Sequence, residues 1–298
     1  MTTRRPDFAA ADARSDGSRA CRRSGLSFDR VAREYDHSRP QYPSELVAHA
    51  CAAAGLGVGD RVLEIGCGSG QLTSELLARG LRVTAIEPGA NHIALATERC
   101  RGAGEVDFVP ARFEDAPLPA ARAAAVFAGS SFHWLDPDTS WHRAAAALAP
   151  GGTLALLQYC GLVDSGDDQA ALLAALARCA PAVSAAWPPQ RELDAIRAGV
   201  EERRANISEV WSWIGGYHLA RVDVAELFTE VTLSAVPVRM QNTADELIRM
   251  MSTHSFYEQL APEHRQALGA EYVALERALG RLVCSTTVAL LVTARRSG

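Results

Sequence analysis

The segment Val62-Leu63-Glu64-Ile65-Gly66-Cys67-Gly68-Ser69-Gly70-Gln71 constrains this chain more than any other. A short apolar run ends in three glycines at alternate positions and continues into a helical pattern. Glycine reaches positive φ without a Cβ penalty and lets a ligand approach the main chain, so strand, glycine turn and helix together read as a binding loop at a sheet edge. In a G-x-G-x-x-G loop a pyrophosphate sits on the helix N-terminus. Here Gln71 replaces the third glycine, and Glu64 stands two residues ahead of the first, where a carboxylate repels a pyrophosphate and suits a cation. Glu87 closes the next apolar run. An acid at a second strand tip can accept both hydroxyls of an adenosine ribose.

Around this loop the rhythm is β-α-β. Buried-strand runs occupy 61–66, 83–87, 106–110, 124–129 and 153–159, and helical patterns fill 71–79, 89–101 and 138–149. Crossovers of this length imply a parallel sheet covered on both faces. A helix over Ser44–Ala54 precedes them, with Pro43 preset for its first turn and Gly55 and Gly57 ending it. Beyond Tyr159 the pattern changes. Helices are expected over 165–180 and 189–205, interrupted by Pro181 and by Trp187-Pro188-Pro189, and a further helix before a strand at 230–238. Helices over 243–252 and 262–279 lead to a final strand at 284–294, which returns the chain to one open sheet. Residues 1–25 carry six arginines against three aspartates and no apolar period. They read as a flexible or interface arm, with 26–298 as a single domain.

Composition removes several chemistries. All basic residues are arginine, so a P-loop, a Schiff-base enzyme and a protein kinase are excluded. A net charge of −5 argues against a nucleic-acid partner. The seven cysteines form no C-x-x-C pair, and neither a secretory h-region nor an apolar run of membrane length occurs. These features predict reduced thiols, a cytoplasmic location and no membrane partner. No metal is expected, because Asp136 and Asp138 in D-P-D read as a helix start with Asp138 as the cap.

E-x-G-x-G-x-G followed by a second-strand glutamate resembles the class I S-adenosylmethionine-dependent methyltransferases. The likeness continues in FDRVAREYDHSRPQYP (28–43), ARFEDAPLP (111–119), AGSSFHWLDPD (128–138), ALAPGGTLAL (147–156) and STHSFYEQL (252–260). These are similar to the branch with trans-aconitate-type and many small-molecule methyltransferases of high-GC bacteria. The resemblance implies an α/β fold with a Rossmann-like seven-stranded sheet, mostly parallel with the last strand antiparallel. It also implies S-adenosyl-L-methionine as cofactor; the helical patterns add cap elements at about 26–54, 161–220 and 241–280, of which 161–220 has no counterpart in the resemblance.

Carried over by residue, Glu64, Gly66, Gly68, Gly70 and Gln71 surround the methionine part of that cofactor, Glu87 holds the ribose, and Phe113 and Glu114 line the adenine. Ser130 lies beside the methyl group, while Tyr35 and Arg39 belong to a segment folding over the cofactor, Arg39 as a carboxylate partner. His133 is the first candidate for a base, with His254 and Tyr35 behind it. Trp134, Trp211, Trp213, Tyr217 and His218 are expected at the acceptor, with core packing as the other reading of Trp211 and Trp213. The implied function is methyl transfer to a small molecule in natural-product metabolism, including carbon methylation of a prenyl, terpenoid or indole alkaloid intermediate. The alternatives are O-methylation of a small carboxylic acid, nucleic-acid methylation, and a non-catalytic cofactor-binding regulator. Homo-oligomerisation is expected through the arm.

Overall fold

The computed structural model describes residues 28–118, 122–162, 168–187, 190–254, 257 and 260–298; the arm lies outside the described residues. Seven strands form one sheet: β1 (Arg61–Ile65), β2 (Arg82–Ile86), β3 (Val106–Val109), β4 (Ala123–Gly129), β5 (Leu148–Gly161), β6 (Phe228–Asn242) and β7 (Val283–Arg296). Their order is β3-β2-β1-β4-β5-β7-β6. The first five are parallel, and β7 runs antiparallel to β5 and β6. This is the Rossmann-like, mostly parallel sheet with a reversed last strand that the sequence resemblance implies.

Successive residues of a strand point to opposite faces, and here both faces are covered, which is why the strands read as unbroken apolar runs. Leu63, Ile65 and Val126 pack on one face with Trp141 and Trp211. Val62, Phe127 and Leu157 pack on the other against Leu46, Leu72 and Leu76 of the helices Ser44–Ala53 and Gln71–Leu77. A third cluster joins the helices Gln169–Cys179, Ala244–Ser252 and Pro262–Leu279 beyond the sheet. Among the described residues no helix is long and apolar enough to cross a membrane.

The connection from β5 to β6 must pass the intervening β7. It does so with the helices Leu193–Arg203 and Ile207–Gly215, whose Ile196, Val200 and Trp211 join the first-face core. Asn206 caps the second of them by accepting from the Ser208 N–H at 2.9 Å. Pro181 interrupts the helical pattern as expected, after the helix Gln169–Cys179, and sits in the first turn of the helix Pro181–Ala186, where its missing N–H costs nothing. One local expectation needs correction. Asp136, not Asp138, caps the helix Pro137–Ala147, accepting from the Asp138 N–H at 3.0 Å, while Asp138 pairs with Arg221. Further on, Asn242 at the end of β6 pairs directly with Val283 at the start of β7, so residues 243–282 leave and rejoin the sheet on one rung.

Candidate active site

The loop after β1 turns with Gly66, Gly68 and Gly70 at φ +66°, +53° and +81°. A Cβ on Gly66 would lie 2.6 Å from the Ser131 Cβ, whose hydroxyl donates to the Ile65 carbonyl. The loop after β4 is thus held against the loop after β1, at the point where the strand order changes direction. Gly68 is open enough for a ligand, and its N–H donates to Glu87 Oε2 at 3.0 Å. Gly70 does not line the cavity. It ends the turn at the helix start and lets Ala96 approach, since a Cβ there would lie 3.0 Å from Ala96.

A cavity of about 630 Å3 opens over this edge. Glu64 and Glu87 lie in its wall, only 1% and 7% exposed; among the described residues no arginine pairs with either, and His92 of the same wall is the group whose charge bears on Glu87. Glu64 accepts from Thr73 Oγ1 at 2.6 Å, yet burial, reinforced by Glu87, pushes its pKa up to about 7. Glu87 accepts from the N–H groups of Gly68 and Gly89, and burial still raises its pKa above the ordinary range. Two buried acids facing one space suit a ligand that brings positive charge and hydroxyls.

The segment before the sheet is bound down over this loop. Asp29 accepts from the Asn91 and His92 N–H groups at 2.9 and 3.1 Å, at the start of the helix Ala90–Arg99. Asp36 accepts from Ser69 Oγ and from Arg99, each at 2.5 Å, and also engages Gln71 at 3.4 Å. Gln71 reaches the wall with its amide already turned to Asp36. Arg39 also lines the cavity, and donates to Thr253 Oγ1 and to the Thr253 carbonyl, both at 3.1 Å. Of Tyr35 the structure describes the backbone, in the helix Ala32–Ser38; its side chain lies outside the described residues.

After β4, Ser130 takes φ +53°, unusual for a residue with a Cβ, and its hydroxyl lies 2.6 Å from that of Tyr42. Tyr42 stacks on Tyr159 of β5 at 5.3 Å. His133 lies flat against Tyr217, ring centroids 4.6 Å apart, and its Nδ1 is buried with no hydrogen-bond partner among the described residues. Burial first, then nearby Arg39, lowers its pKa to about 3, so the imidazole is neutral. The Tyr217 hydroxyl donates to Gln158 Oε1 at 3.1 Å. His254 is likewise lowered to about 3 by burial and contacts the Met250 carbonyl at 3.0 Å.

The cavity wall therefore gathers most of the residues expected from the sequence: Glu64, Gly66, Gly68 and Glu87 at one end, then Phe113, Glu114, Ser130, Trp134 and Tyr217. Arg143 donates to the Phe113 carbonyl at 2.6 Å, and Glu114 accepts from the Asp136 N–H at 3.1 Å, which fixes both positions. Three aromatic or imidazole side chains stand elsewhere. Trp211 is fully buried in the sheet core, Trp213 lies between Arg191 and Arg203, and His218 is exposed. Trp211 and Trp213 belong to the crossover helix Ile207–Gly215, of which only the end, Ile214 and Gly215, reaches the cavity, and His218 follows it in a loop. Residues that sequence reasoning missed are Asp36, Tyr42 and Gln158. Gln158 has a visible signal, a lone amide in the apolar run TLALLQY; Asp36 and Tyr42 lay within the quoted 28–43 motif.

Comparisons with known proteins agree with this architecture. The family model described as a methyltransferase domain matches residues 63–156. An uncharacterized methyltransferase of Mycobacterium tuberculosis (strain ATCC 25618 / H37Rv) is 34% identical over 133 residues, 44% of this chain and 51% of that protein. The 27-O-demethylrifamycin SV methyltransferase of Amycolatopsis mediterranei (strain S699) is 38% identical over 108 residues, 34% of this chain and 39% of that one. The chain thus spans about half, or less, of the length of these curated relatives. A solved structure from Anaeromyxobacter dehalogenans, assigned without a proven activity to the type II methyltransferases, is 23% identical with TM-score 0.56, covering 86% of this chain and 97% of that one.

Proposed function

We propose that this chain is a class I S-adenosylmethionine-dependent methyltransferase, a reading supported by the methyltransferase-domain match over 63–156 and by the fold, and that it transfers the methyl group of S-adenosylmethionine to a small-molecule acceptor. The observation that carries the reading is the pair of buried acids, Glu64 and Glu87, which no arginine pairs among the described residues and which face one cavity across a glycine loop. The residues fit the cofactor. Glu64 and the backbone of Gly66 and Gly68 would hold the methionine end with its ammonium, and Arg39 the carboxylate. Glu87 would hold the ribose hydroxyls, and Phe113 with Glu114 the adenine.

When bound, the cofactor supplies an activated sulfonium methyl, so this chain is left with alignment and environment. Holding a nucleophile about 3 to 3.5 Å from its target can be worth about 7 to 11 kcal/mol. The pinned loop of Ser130 and Ser131, braced by Tyr42, supplies that rigidity at the meeting of the β1 and β4 edges. His133, neutral and with Nδ1 unpartnered among the described residues, would accept a hydrogen bond from a hydroxyl or N–H nucleophile, and would serve as a base only where the bound ligand raises its pKa from about 3. Tyr217 fixes the plane of its ring. Where the nucleophile is carbon, the same stack of rings offers faces toward developing positive charge.

Calorimetry with S-adenosylmethionine and S-adenosylhomocysteine tests the reading. Both are expected to bind, and an extract supplied with enzyme and cofactor is expected to yield a product about 14 Da heavier, the mass of one CH2 unit. Absence of binding by both ligands would refute it.

A further inference from the structure

Past the loop that carries His133, the cavity continues into a chamber whose walls change character. The helices Gln169–Cys179, Ala244–Ser252 and Pro262–Leu279 supply Leu173, Leu176, Met250, Met251 and Tyr272, and β6 adds Met240. Three of the chain's four methionines therefore meet in one chamber. Methionine is unbranched and polarizable, and its side chain adapts to irregular apolar shapes.

Charge stops at the chamber's entrance. Among the described residues, no wall residue from Gln158 onward is Asp, Glu, Arg or Lys. Glu114 and Arg112 pair with each other at the cofactor end, 3.4 Å apart. Arg39 is turned to Thr253 and, in the reading above, to the cofactor carboxylate. His254 is uncharged because burial lowers its pKa. Arg191 lies behind Cys160 and gives its guanidinium to the Ile214 and Trp213 carbonyls, so a carboxylate or diphosphate entering this space would shed its hydration with no cation in the wall beyond Arg39 to replace it. The chamber does hold neutral polar atoms. Gln190 Oε1 is buried and without a hydrogen-bond partner among the described residues, an acceptor that a ligand hydroxyl or N–H would satisfy.

We infer that the acceptor is an uncharged, mainly hydrocarbon or aromatic molecule carrying a hydroxyl or N–H donor, with its apolar body among the methionines and leucines and its donor directed to Gln190. The inference rests on the methyltransferase reading for the cofactor end. It separates the acceptor classes left open by the sequence, favouring neutral terpenoid-like or aromatic compounds over small carboxylic acids and prenyl diphosphates.

The test is calorimetry on the full chain saturated with S-adenosylhomocysteine, using sets that share a body and differ in head group: farnesol, farnesoate and farnesyl diphosphate; 2-naphthol and 2-naphthoate; decanol and decanoate. At least one alcohol is expected to bind at least tenfold tighter than its charged counterparts. Leu173→Asp, at a half-buried wall position, is expected to weaken that alcohol at least tenfold. Leu173→Gln is the milder second variant, and S-adenosylhomocysteine affinity and a thermal melt on each variant separate a spoiled chamber from a lost fold. The inference is overturned if a charged member binds as well as its alcohol, or if no alcohol binds a protein that binds S-adenosylhomocysteine. Alcohol binding insensitive to both variants overturns it as well. Failure of S-adenosylhomocysteine itself to bind refutes the methyltransferase reading instead, and the same alcohols titrated into the free chain then still report the chamber's preference.

Discussion

Glu64 sets function against stability, and replacing it by glutamine separates the two. Its carboxyl is 1% exposed, and burial outweighs the Thr73 hydrogen bond to raise its pKa from 4.5 to about 7. A carboxyl that holds its proton more tightly folded than unfolded favours the fold most below the unfolded value. Its contribution is complete below pH 4.5 and is lost as pH rises through the folded value near 7. At about 1.4 kcal/mol per unit, the penalty at pH 8 is roughly 3 kcal/mol. A cationic ligand needs the ionised form, so apparent affinity scales with the ionised fraction: about twofold below its limit at pH 7 and about tenfold below at pH 6. Glu87, raised in the same direction, steepens the trend. Glu64→Gln keeps the shape and removes the charge. The free variant is expected to melt higher than the parent at pH 8 by several degrees, at about 2 to 4 °C per kcal/mol. It is also expected to lose at least tenfold in S-adenosylmethionine affinity, with a weaker dependence between pH 6 and 8. Thermal melts from pH 5 to 9 and calorimetry at pH 6, 7 and 8 provide the readings. A flat parental affinity between pH 6 and 8, or a variant no more stable than the parent at pH 8, would refute this account of Glu64.

Three further substitutions probe other parts of the site. Gly66→Ala places a Cβ 2.6 Å from that of Ser131 at φ +66°, where the backbone alone costs about 1–2 kcal/mol. A lower melting temperature and lost cofactor binding are expected; a parental melt would show that the two loops are not pinned together. Asp36→Asn weakens charge-assisted bonds worth about 1.5–3 kcal/mol, so residues 28–43 should become protease-sensitive and cofactor affinity fall about tenfold. Equal cleavage rates in variant and parent would remove Asp36 as their anchor. Trp211→Ala empties a fully buried site and should cost about 3–5 kcal/mol, read as a large drop in melting temperature with acceptor preference kept. A changed preference at an unchanged melt would return Trp211 to the acceptor site.

The cofactor half of the cavity was readable because its signals are local. Val62 to Gln71 carry strand, turn and helix in one stretch, and the apolar runs of β1 to β5 are too short for anything but strands crossing a covered sheet. The acceptor half was not, because its features depend on where helices pack. Nothing in Trp211 or Trp213 states which side of the crossover helix meets the sheet, and only the route from β5 past β7 to β6 decides it. The stack of His133 on Tyr217 joins residues 84 positions apart, beyond the reach of any periodicity. Asp136 and Asp138 differ as caps by two positions, and Pro137, which favours the first position of a helix, already pointed to Asp136 as the cap.

The direct pairing of Asn242 with Val283 has a consequence for how such a chain can change over time. Because residues 243–282 begin and end on neighbouring strands, their length is not set by the strand register: a segment whose ends lie one ladder spacing apart can be spliced in, provided it offers Arg39 the partner that Thr253 now supplies. These forty residues supply much of the chamber's roof, including Met250, Met251 and Tyr272. A lineage could therefore exchange its acceptor by recombination at this single rung, with the glycine loop and its acids inherited intact.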